Sequence, residues 1–107
     1  MQQDALYGFR DADLEAIRIA VEQALGIVLT QHITTYRGEH YIGGTASTAM
    51  LILQRNWDPF DGELMEEQFP DMRALLYVMR SDRAAELEHL LTTQTAAHVL
   101  LRQESFE

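Results

Sequence analysis

Asn56-Trp-Asp-Pro-Phe-Asp-Gly-Glu-Leu-Met-Glu-Glu-Gln-Phe-Pro-Asp71 separates two strongly apolar segments, Met50–Leu53 before it and Leu75–Met79 after it. Short apolar runs bounded by turn signals read as strands buried on both faces. The intervening stretch holds Asp58, Asp61, Glu63, Glu66, Glu67 and Asp71, with no basic residue among them. Both of the chain's prolines, Pro59 and Pro70, lie inside it. Asp58-Pro59 and Asp61-Gly62 are turn dipeptides, so the stretch predicts a shaped insert between two central strands rather than a flexible tail. Leu64, Met65 and Phe69 are expected to hold it against the sheet. Trp57 and Phe60 are divided between core and surface.

Working outward, the same logic places a strand at Thr48–Gln54 and another at Ala74–Met79. Upstream, Val28 and Ile33–Tyr36 are β-branched or aromatic, which favours a strand. Arg37–His40 reads as a turn, and Tyr41-Ile42 starts a return strand that Gly43-Gly44 ends or bulges. Asp11 to Leu25 carries Leu14, Ile17, Val21 and Leu25 at helical spacing, with Glu15, Arg18 and Glu22 on the other face. Asp11 is the expected N-cap and Gly26 the C-terminal cap, and Tyr7 and Phe9 are expected to fold over the first turn. Downstream, Ser81 caps a helix whose core face is Leu87, Leu90 and Leu91. His98–Arg102 is preferred as a last edge strand over a continuation of that helix. The predicted class is α+β: an N-terminal helix, a mostly antiparallel sheet of four to five strands, the acidic insert between two central strands, and a C-terminal helix.

The 107 residues suit one small domain. The formal charge is −9, which opposes binding to a phosphate backbone or an anionic membrane and favours a basic protein surface. There is no cysteine, so disulfides, thiolate metal sites and cysteine nucleophiles are excluded. The first ten residues lack the basic start and apolar core of a signal peptide, and the expected compartment is the cytoplasm.

Chemical motifs are sparse. Asp58-x-x-Asp61-Gly62-Glu63 lacks the alternating Asp/Asn spacing of a calcium loop, and a solvated or partner-facing acidic surface is preferred to a metal site. Glu86-x-x-His89 has the spacing of a helical di-iron ligand pair, but no second copy accompanies it. His40, among Tyr36, Arg37, Glu39 and Tyr41, is the best candidate base; no serine elbow or phosphate-binding loop supports it. A non-catalytic protein with neither metal nor cofactor is expected.

Tyr36-Arg-Gly-Glu-His-Tyr41, Leu51-Ile-Leu-Gln-Arg-Asn-Trp-Asp58, Phe69-Pro-Asp71 and the run from Ala74 to Leu91 together resemble small bacterial immunity proteins, including those of contact-dependent growth inhibition. The resemblance spans about Phe9 to Leu91. It implies a cytoplasmic, acidic antitoxin that binds one cognate toxin and catalyses nothing. The toxin it implies is a basic, nuclease-like protein whose substrate cleft an acidic face covers. The expected contact residues are Trp57, Asp58, Phe60, Asp61, Glu63, Glu66, Glu67 and Asp71, on a monomer. The alternative is a secretion-chaperone-like module that holds an effector segment.

Overall fold

A strand, not a helix, opens the chain. The computed structural model describes residues 2–11, 13–34, 38–45, 48–57, 62–82, 84–94 and 98–106. In order, these form β1 (Gln2–Phe9), α1 (Leu14–Leu25), β2 (Thr30–Thr34), β3 (Gly38–Thr45), β4 (Thr48–Arg55), β5 (Ala74–Ser81), α2 (Ala84–Gln94) and β6 (His98–Phe106). The six strands make one antiparallel sheet in the order β2-β3-β4-β5-β1-β6. This overturns the expected N-terminal helix, C-terminal helix and count of four to five strands, while the α+β class stands. The reason is long-range. β1 lies between β5 and β6, so its stability comes from residues more than sixty positions away. The neighbours β4 and β5 do occupy the middle of the sheet, and the insert does join them.

Both helices cover one face of the sheet. Leu14, Ile17, Val21 and Ala24 of α1 and Leu87 and Leu91 of α2 share a buried cluster with Ala5, Tyr7, Phe9, Leu51, Leu53, Leu76 and Val78. Side chains alternate along a strand, so the residues between these point the other way. The opposite face carries a second cluster of Leu6, Met72 and Leu75, against which Met65, Phe69, Tyr77, Val99 and Leu101 pack. The insert therefore forms a third layer, on the side away from the helices.

Local chemistry explains the element ends. Asp13, rather than Asp11, caps α1: its carboxylate accepts from the Ala16 N–H at 3.1 Å, and Asp11 accepts from the Asp13 N–H at 2.9 Å. Gly26 ends the helix with φ 66°, a left-handed conformation that favours glycine. Along the flank of the helix toward Tyr41 of β3, Arg18 bridges Glu15 and Glu22, the latter at 2.7 Å. Ser81 is the last residue of β5 and is buried there, so it is not the α2 cap expected of it. Glu39 and His40, expected in a turn, belong to β3, which runs on through Gly43 and Gly44 with an irregular register before Thr45.

Two buried tyrosines give the fold an alkaline limit. The Tyr7 hydroxyl is pushed up to about 12 by burial and then by Glu88, and Tyr41 to about 12 by burial and then by Glu15 and Glu39. An unfolded tyrosine ionises near pH 10, so between about pH 10 and 12 the unfolded chain releases protons that the folded one keeps. Stability is thus fully present below about pH 10 and falls as pH rises through that window. In an ultraviolet titration, ionisation of Tyr7 and Tyr41 is expected to coincide with loss of the far-ultraviolet circular dichroism. Their ionisation near pH 10 with the fold intact would contradict this account.

Candidate functional site

One buried side chain organises the backbone of the insert. Asn56, buried at the end of β4, donates through Nδ2 to the carbonyls of Phe69 and Met72, both at 3.0 Å. Its Oδ1 accepts from the Glu66 N–H at 2.9 Å. Its own N–H bonds the Arg73 carbonyl, and the Arg73 N–H bonds the Phe9 carbonyl. Asn56 thus supplies donors and an acceptor to a non-repetitive segment whose polar backbone faces a sheet. Met65 and Phe69 add apolar contact from below.

Glu66, expected to face a partner, has internal work. Its carboxylate accepts from the Tyr77 hydroxyl at 2.9 Å and from Arg102 at 3.1 Å. The cross-strand register explains the meeting: Tyr77, Leu6 and Arg102 are successive members of one row across β5, β1 and β6. Glu66 holds the Arg102 guanidinium above its ordinary range, a direction set mainly by this hydrogen bond. Beside the pair lies a pocket of about 130 Å³ lined by Asp4, Leu6, Tyr77, Met79 and Glu104 among others.

Of the other expected contact residues, Trp57, Glu63, Glu67 and Asp71 are exposed. Trp57 is 46% accessible, and Leu64, expected to pack inward, is 37% accessible. The described outer surface of the insert therefore offers two apolar side chains and three carboxylates, with Arg73 exposed just beyond it. Asp58, Phe60 and Asp61 lie outside the described residues.

His40, the candidate base, lies within β3. The ring is buried, its Nδ1 lies 3.0 Å from the Gly38 carbonyl, and it stacks on His32 with centroids 5.8 Å apart. Arg37 lies outside the described residues. Glu86 and His89 are both exposed on α2, and among the described residues no group of three His, Asp or Glu side chains could hold a metal ion. Sequence reasoning missed Asn56 as the organiser and Arg102 as the partner of Glu66. A lone asparagine at the end of an apolar run, before a turn-rich insert, was the signal available for the first. Compared with known protein families and with curated proteins, the chain matches none.

Proposed function

We propose that this protein is a non-catalytic binding protein of the toxin–immunity kind, which neutralises a basic, nuclease-like toxin by covering its substrate cleft. The observation that carries the reading is the Asn56-pinned insert, whose exposed side chains include Trp57, Leu64, Glu63, Glu67 and Asp71. Exposed apolar side chains among carboxylates on a hydrogen-bonded segment suit a protein interface, because less side-chain and loop ordering remains to be done on binding. A formal charge of −9 speeds encounter with a cationic cleft. A nuclease must display Arg and Lys to bind phosphate, so exposed carboxylates can take the place of its substrate.

The decisive reagent is the polypeptide encoded beside this one. The reading expects a secreted protein ending in a basic toxin domain. Calorimetry should give a one-to-one complex whose affinity falls roughly tenfold or more between about 0.05 and 0.5 M NaCl. Expression of this chain should rescue cells from that domain. A dimer that binds an effector segment with no salt dependence would fit the chaperone-like module instead and defeat the proposal.

A further inference from the structure

The two edges of the sheet are guarded differently. β6 presents Arg102 and Glu104, both exposed, along its length. β2 reads Thr-Gln-His-Ile-Thr, with no proline and no formally charged residue, and all but Thr34 are exposed. Ile33 is 76% accessible, and Val28, just before the strand, is 78% accessible. Exposed edge strands normally carry charges, prolines or bulges, because their free N–H and C=O groups are a template for another strand. β2 has none of these within Thr30–Thr34, and its pairing with β3 is regular from Thr30–Ile42 to Thr34–Gly38.

We propose that the outer edge of β2 takes up an extended, basic segment of a protein partner as a seventh strand. The sign of the partner's charge follows from the neighbouring strand. Gln31 and Ile33 lie opposite Tyr41 and Glu39 on the helix-covered face. There the Tyr41 hydroxyl meets Glu15 at 2.9 Å and Glu39 at 3.2 Å, and one hydroxyl proton cannot serve both carboxylates at once. Arg18 is committed to Glu15 and Glu22. Strands sit about 4.8 Å apart, so an added strand would run about 10 Å from β3. A lysine or arginine side chain on its helix-side face spans most of that gap and can reach Glu39. The Ile33 side chain offers the apolar contact alongside. A second copy is a poorer occupant, because it brings the same carboxylates and a formal charge of −9.

This surface is separate from the insert, and the inference stands whatever the insert binds. The test is a nuclear magnetic resonance titration of the ¹⁵N-labelled full chain with a blocked peptide of alternating lysine and valine. Shifts and new amide-exchange protection are expected in Thr30–Thr34. Ile33→Lys should remove them, and Glu39→Gln, which can still accept from Tyr41, should weaken binding by about fivefold. A peptide with glutamate in place of lysine should not bind. The proposal is overturned if the lysine peptide leaves β2 unshifted at millimolar concentration, or if the glutamate peptide binds equally well. It is overturned too if the free protein sediments as a dimer that Ile33→Lys dissociates, since the edge would then belong to a second copy.

Discussion

Asn56→Ala is expected to destabilise the protein by about 3 kcal/mol and to loosen the insert before the sheet. The substitution removes two donors and one acceptor from a side chain that is 2% accessible, and leaves the Phe69 and Met72 carbonyls and the Glu66 N–H without that partner. The Phe69 carbonyl keeps the Met72 N–H, and the other two groups, once orphaned, each cost about 1–3 kcal/mol, less where water can enter. Because the insert lies at the surface, water will relieve some of that cost, which sets the expected total near the lower end of the sum. For a domain of this size the loss corresponds to a melting point lower by about 12–20 °C. Asn56→Asp should be no milder: it keeps the acceptor but turns a carboxylate oxygen toward two carbonyls, with no donor between them. Urea denaturation gives the stability, and hydrogen exchange shows where it is lost. Amides of Glu66, Phe69 and Met72 should exchange faster while those at the centres of β4 and β5 keep most of their protection. A loss below about 1 kcal/mol, with insert amides still protected, would show that Met65 and Phe69 hold the segment without Asn56.

The same residues show what a sequence can and cannot disclose. α1 was legible because its apolar spacing, acidic start and Gly26 are all local. Only its cap was misplaced, since Asp11 and Asp13 are the same residue type two positions apart and geometry decides between them. β4 and β5 were legible as apolar runs, and His98–Arg102 as part of an edge strand. β1 was not. Ala5, Leu6, Tyr7 and Phe9 are buried without alternation, because helices cover one face and the insert the other. Gly8 interrupts this run. In the fold, a side chain there would lie 2.6 Å from Met72 and 2.9 Å from Leu101, so glycine is what lets the second layer approach.

The candidate site divides in the same way. That the insert is shaped could be read from its turns. Which of its members face inward could not, because Leu64 and Met65 are equally apolar and adjacent, yet Met65 alone reaches the second core. Glu63, Glu66 and Glu67 are chemically identical. Tyr77 and Arg102, brought together by strand register, select Glu66 for structure and leave the others outside.

That selection makes charge reversal a sharp test of the proposed interface. Glu63→Lys, Glu67→Lys and Asp71→Lys combined should weaken binding to a basic toxin domain by about 100-fold, or about 2.7 kcal/mol, chiefly by replacing attraction with repulsion. All three side chains are exposed, and stability should stay within about 0.5 kcal/mol per substitution. Trp57→Ala should cost a further 2 kcal/mol or so if the indole sits at the centre of the contact. Glu66→Lys should behave in the opposite way. It discards the Tyr77 and Arg102 bonds and sets a second cation beside Arg102, so it should destabilise the fold by about 2 kcal/mol. Any effect on binding should then follow from a displaced insert. Stability and affinity measured across both variants separate the two roles. A triple variant that binds and protects as well as the unmodified chain would remove the insert from the interface, whatever the partner. A Glu66→Lys protein of unchanged stability would show that the Glu66–Tyr77–Arg102 cluster does not fasten the insert to β5 and β6.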